Sequence, residues 1–128
     1  TKAKVVTVED FVKFKEIVHD FGKIKQGVPV TYDFSFANKS DKPLVIETVN
    51  TSCGCTTPKW PQAPIAKGKS DVITAGFNAQ TLGTFTKPIY VKVAGVDRPV
   101  EIRITGEVLD AVTYAKYEKE KDSQKKGK

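Results

Sequence analysis

The chain has only two cysteines, Cys53 and Cys55, one residue apart in the stretch NTSCGCTTPKW. Two thiols at that spacing can form a disulfide, hold a soft metal, exchange disulfides with another chain, or pack as small apolar residues. In an extended segment residues i and i+2 share a face, with Cα atoms about 6.6–7 Å apart. A disulfide prefers about 5.5–6 Å, so the spacing disfavours a sturdy bridge unless Gly54, tolerant of unusual backbone angles, bends the chain. A ring that small is strained and easily reduced. Two thiolates are half the ligand set of a structural zinc site, and no C-x-x-C or H-x-x-x-H partner accompanies them. Cu(I) accepts fewer, softer ligands and matches a thiol pair better; any metal would sit on Cys53 and Cys55, and no other cofactor is expected. Exchange chemistry needs an accessible thiolate of lowered pKa. Lys59 is close in sequence and Pro58 and Trp60 could form an apolar rim, but the C-x-x-C at a helix start that thioredoxin-type enzymes use is absent. The plainest alternative is structural: two small residues buried at a turn, with Gly54 there for geometry. Residues 50–60, centred on Cys53, Gly54, Cys55 and Trp60, are the candidate binding surface.

Other candidates carry less. His19 adjoins Asp20, but neighbours on a strand point to opposite faces, and His19 is expected as a half-exposed residue at a strand end. Ser52 has no G-x-S-x-G elbow. Asn38-Lys39-Ser40 and Asn50-Thr51-Ser52 match glycosylation sequons, which matter only in a eukaryotic secretory setting. Trp60 is expected to pack at a core or sheet edge. No phosphate-binding glycine loop or convergent set of carboxylates is present, and the expectation is a protein that is not an enzyme.

These residues must be positioned by a modest fold. A chain of 128 residues fits one domain. No apolar run approaches the roughly 20 residues that span a bilayer. The sequence begins TKAKVV and lacks methionine, which fits a mature or trimmed domain whose targeting segment has been removed. Of the formal charge of +6, half lies in the last fifteen residues, YAKYEKEKDSQKKGK, with six lysines and three acids. Elsewhere lysines alternate with acids, and the only arginines are Arg98 and Arg103. No nucleic-acid-binding motif accompanies the charge, so no specific nucleic-acid partner is expected.

Period-two alternation dominates the rest. Val30, Tyr32, Phe34 and Phe36 fall on one face of VPVTYDFSF; Ile89, Val91 and Val93 on one face of IYVKV; Val100, Ile102 and Ile104 on one face of VEIRI. PLVIETV and SDVITAGF are apolar on both faces, as central strands are. NKSDKP, GKS, QTLGT and AGVDRP supply the turns, and WPQAPIAKG, with two prolines, reads as a loop or broken edge strand. VEDFVKFKEIV suits a short helix or an initial strand. The spacing predicts an all-β, antiparallel β-sandwich of about seven strands over residues 1–110, followed by a basic tail at 111–128, frayed and flexible or a short exposed helix.

The ordered series HDFGKIKQG, FSFANKSDKPLVI, SCGCTTPKW, IAKGKSDVITAGFNA, GTFTKPIYV and RITGEV resembles the domain of unknown function 1573 family of exported bacterial proteins, over roughly residues 12–108. The resemblance implies an immunoglobulin-like sandwich similar to the ASH, MSP and PapD domains, in the periplasm or at the cell surface. Where members have Pro-Gly at one turn, this chain has Lys67-Gly68. The function expected is an exported structural or protein-binding module, with a protein partner held at a sheet edge, by strand addition, or at the Trp60 loop. The rival is a thiol-based function at the Cys-Gly-Cys box, either Cu(I) binding or disulfide exchange.

Overall fold

A computed structural model describes residues 11–126 of the chain, with side chains placed as far as residue 121. Residues 1–10 of the expected domain, with the start of VEDFVKFKEIV, and the last two residues of the tail lie outside the described residues. Among the described residues there are eight strands and one helix: β1 (Val12–Phe14), β2 (Val18–Lys25), β3 (Val30–Asn38), β4 (Ile46–Thr51), β5 (Thr56–Lys59), β6 (Ser70–Phe77), β7 (Gly83–Val93), β8 (Val100–Leu109) and α1 (Ala111–Lys126). They form two four-stranded sheets, ordered β1-β3-β6-β5 and β2-β8-β7-β4.

The alternation determines which faces meet. Phe34 and Phe36 of β3, Ile73 and Ala75 of β6, Ile89 and Val91 of β7, and Ile102 and Ile104 of β8 are all buried between the sheets. Each such large side chain contributes about 1.5–3 kcal/mol by leaving water. The all-β sandwich expected from the sequence is the fold observed.

The eight strands agree with the expected count of about seven; Thr56–Lys59 is one of them through its ladder with Thr74–Phe77 of β6. Two details differ from expectation. One pair is parallel: β2 lies beside β8, with Val18 opposite Arg103. PLVIETV is not central, because β4 is the edge of its sheet. Just before it Leu44 bridges Ile65 and both are buried, while Val45 between Leu44 and Ile46 is 38% exposed.

Among the described residues the segment after β8 is a helix, one of the two forms expected for it. Asp110 caps it: its carboxylate accepts the Thr113 N–H at 2.7 Å, and its carbonyl accepts the Tyr114 N–H. The Thr113 N–H holds the Asp110 carboxyl below its usual range. Tyr114 and Tyr117 of α1 are half-buried, and the Lys23 ammonium lies 5.7 Å from the Tyr117 ring. No helix among the described residues is long and apolar enough to cross a membrane.

The Lys67-Gly68 turn has a simple explanation. The Lys69 N–H bonds to the Ala66 carbonyl at 2.9 Å, and Gly68, the third residue of that turn, has φ +75°. A turn with a left-handed third residue favours proline at the second. Lys67→Pro should therefore raise stability by about 0.4–1 kcal/mol, by restricting the unfolded chain; a denaturant midpoint checks it.

Candidate functional site

Four connections gather at one end of the sandwich: β2 to β3 at Gln26–Pro29, β4 to β5 at Ser52–Cys55, β6 to β7 at Asn78–Leu82, and β8 to α1 at Asp110. The second carries the chain from the edge of one sheet to the edge of the other. There Cys53 and Cys55 are joined by a disulfide. This overturns the expectation that their spacing disfavours a bridge, which rested on an extended chain. The chain is a turn, closed by the Thr56 N–H on the Cys53 carbonyl, and the Cα atoms are 5.2 Å apart.

Other bonds hold the same turn. The Thr51 hydroxyl donates to the Cys53 carbonyl at 2.9 Å, the Asn78 N–H to the Cys55 carbonyl at 3.0 Å, and the Cys55 N–H to Cys53 Sγ at 3.2 Å. Gly54 is not the source of the bend. Its φ is not positive, and a Cβ built there meets nothing within 4 Å. Gly54→Ala should leave both the bridge and the melting temperature unchanged within about 0.5 kcal/mol; mass spectrometry of the alkylated protein and a thermal melt check it.

Both cysteines are half-buried, and both line a cleft of about 310 Å³ together with Phe77, Leu82, Phe85 and Lys87. Phe77 and Phe85 stack across the two sheets, centroids 4.2 Å apart, and form its apolar floor. Leu82 stands 50% exposed at the rim, and Val28 on the adjoining turn is 48% exposed. The loop that carries Leu82 is pinned from the side: the Gly27 N–H bonds to the Ala79 carbonyl, and the Gln26 amide to the Gln80 carbonyl at 2.9 Å. Sequence reasoning missed these walls; the only signal was a lone leucine in the QTLGT turn.

Trp60 is not brought to this cleft. It follows Lys59 at the far end of β5 from Cys55 and packs, half-buried, against the core. The thiol pair is thus neither hidden beneath the turn nor beside Trp60. A metal would need the reduced pair, since sulfurs bonded to each other offer no thiolate. Among the described residues no group of three or more His, Cys, Asp or Glu side chains could hold a metal ion.

The other candidates have structural roles. His19 is half-buried at the start of β2, as expected, and its ring stacks on Tyr32 of the opposite sheet at 3.6 Å. The Tyr32 hydroxyl bonds to the Glu16 carboxylate, which raises the pKa of that phenol. Asn38, first residue of a sequon, is buried and fully hydrogen-bonded.

The open edge of β5 is poorly equipped for strand addition. The Asn78 N–H to Cys55 bond marks that pair as hydrogen-bonded, and the register places Thr57 opposite Gly76 as the next such pair. The backbone groups of Thr56 and Pro58 therefore face the open edge. The Thr56 N–H is used in the turn and proline has none. Among the other edge strands, β1 has three residues, and β2 and β4 are each interrupted by a bulge.

Comparison with known proteins agrees with this architecture. No curated protein matches the sequence. Solved structures similar to it include the ASH/PapD-like domain 7 of human CEP192, at 7% identity and TM-score 0.71, covering 87% of this chain and 94% of that one. A protein of unknown function from Porphyromonas gingivalis W83 is 15% identical with TM-score 0.63, covering 84% of this chain and 49% of that one. The C. elegans MSP family member WR4 is 8% identical with TM-score 0.50, covering 78% and 99%. This chain therefore spans about half of the Porphyromonas protein and nearly all of the other two. At such identities the likeness shows the fold, an immunoglobulin-like sandwich of the ASH, PapD and MSP kind. Residues 12–108 match the family model described as protein of unknown function DUF1573. The match runs from β1 almost to the end of β8 and stops short of α1, and over that sandwich the chain belongs to the DUF1573 family.

Proposed function

We propose that the protein is a non-enzymatic, exported binding module that holds a protein partner at the disulfide-bearing end of the sandwich. The observation that carries this is the cleft between Cys53–Cys55 and Leu82, floored by Phe77 and Phe85. It presents apolar surface on loops that backbone bonds hold rigid, so little side-chain or loop entropy is lost on binding. The same geometry moves the contact surface away from the sheet edges and from Trp60, since the β5 edge lacks free donors. A disulfide persists in oxidising compartments, which supports a periplasmic or cell-surface location. His19 and Asn38 are engaged in packing and internal hydrogen bonds, which supports a role without catalysis.

The test is capture from the native extracellular or periplasmic fraction by immobilised protein, with Val28→Asp/Leu82→Asp as the comparison. Proteins retained by the wild type and lost with the double variant are the expected result. Retention that ignores both substitutions would contradict the proposed surface.

A further inference from the structure

The bridge itself lies in the wall of that cleft, where a bound peptide would touch it. It spans a sequence separation of two, so it constrains almost none of the unfolded chain. The turn beneath it is held independently by the Thr56 N–H, the Thr51 hydroxyl and the Asn78 N–H, which would keep the two sulfurs adjacent after the bond opens. The sulfurs are also unequal. Cys53 Sγ accepts a backbone N–H, whereas Cys55 packs against the core with only the Thr56 hydroxyl at 3.9 Å. Lys87 lines the same cleft. A hydrogen-bond donor and a cation favour a thiolate, and the sulfur better able to bear that charge leaves faster.

We propose that Cys53–Cys55 is an exchange disulfide for a cysteine-containing peptide seated in the cleft, a proposal that rests on the binding surface described above. The peptide thiolate attacks Cys55 Sγ and forms a mixed disulfide, and the Sγ–Sγ bond breaks with its electron pair going to Cys53. A second thiolate of the same peptide then attacks the peptide's own sulfur in the mixed disulfide, closes a disulfide within the peptide and expels Cys55 Sγ as a thiolate. One S–S bond forms as each one breaks, so the two thiols of the peptide are oxidised to a disulfide as the Cys53–Cys55 bridge is reduced to a dithiol. Phe77, Phe85 and Leu82 select peptides with apolar residues beside the cysteine; Lys87 stabilises the leaving thiolate.

The test mixes the oxidised full chain with reduced glutathione, or with a hexapeptide bearing one cysteine between leucine and phenylalanine, at equal thiolate concentration. Acid-quenched samples are alkylated and mapped by mass spectrometry. The hexapeptide adduct should form about tenfold faster than the glutathione adduct, the worth of one buried apolar side chain, with the peptide on Cys55 and the alkyl group on Cys53. Leu82→Asp, in an exposed turn, should bring the peptide down to the glutathione rate with an unchanged melt. Lys87→Gln should slow both. A serine version of the peptide, which cannot react, is titrated against the oxidised domain in parallel. If it binds while the cysteine peptide gives no adduct, exchange is overturned and the binding surface stands. If it does not bind and both thiols react at one rate regardless of Leu82, the binding surface fails and the peptide selectivity with it. A peptide found on Cys53 overturns the assignment of the leaving sulfur.

Discussion

Asn38→Asp is expected to destabilise the sandwich by about 3–5 kcal/mol, because it turns two buried donors into a charge facing two acceptors. Asn38 is 2% exposed. Its Nδ2 donates to the Lys42 carbonyl at 2.7 Å and the Ile65 carbonyl at 2.8 Å. Its Oδ1 accepts the Ser40 N–H and hydroxyl. One amide thus ties the end of β3 to the β3–β4 turn and to the loop carrying Ile65, which bridges Leu44. A carboxylate keeps the bonds from Ser40 but opposes both carbonyls, and burial removes the water that would screen it. At roughly 3–5 °C per kcal/mol the melting midpoint should fall by about 10–20 °C at pH 7. Asn38→Ala, which leaves the carbonyls unpaired without opposing them, should cost less. The gap between the two variants should narrow toward about pH 4, where the introduced carboxyl, once protonated, regains one donor. Its folded-state pKa, raised by burial, sets the sign: the penalty is smallest at low pH and grows as the group ionises. Melts of the three proteins across pH check this.

Gly106→Ala should cost about 2–3 kcal/mol, with Gly106→Val costing more. In β8 the residue sits where the β2 bulge leans in, with Gly22 of the bulge at φ +73°. A Cβ on Gly106 would lie 2.9 Å from the Gly22 carbonyl oxygen and 2.8 Å from Cζ of Phe85. The carbonyl cannot move without disturbing the parallel β2–β8 pair. Phe85 cannot move without breaking its stack on Phe77, the floor of the disulfide cleft. The substitution should therefore lower the melt and weaken partner capture together. A denaturant titration and the capture assay check the two effects.

Asn38 and Gly106 both act through contacts that local sequence shows only weakly. The inward faces of β3, β7 and β8 were legible, because alternation at Phe34 and Phe36, Ile89 and Val91, and Ile102 and Ile104 is a property of each strand alone. β5 was not, since four residues around Pro58 carry no alternation and become a strand only through the ladder that β6 offers. The parallel pairing of β2 with β8 joins distant segments whose register no local pattern encodes. α1 has its tyrosines, Tyr114 and Tyr117, on one side but no apolar stripe, so composition alone left a solvated tail and a short exposed helix both open. At the site the chemistry was visible and the geometry was not. Cys53 and Cys55 stood out by type and spacing, but whether the chain there was extended or turned depended on Thr51, Thr56 and Asn78. Leu82 and Phe85 reach the same cleft from another part of the chain.

Exchange at this end of the sandwich requires an accessible disulfide on a frame that does not need it. A reductive titration reads this at once: the oxidised full chain is equilibrated with increasing dithiothreitol, without denaturant. Alkylation and mass give the open fraction of the bridge, and a thermal melt then gives the midpoint of the reduced protein. A bridge this short adds at most about 1.5 kcal/mol, so it should open completely in the folded state, with an unchanged far-ultraviolet spectrum. The reduced protein should melt within about 5–8 °C of the oxidised one. A bridge that opens only when denaturant unfolds the chain, or a reduced protein that has lost its sheets, would contradict that requirement.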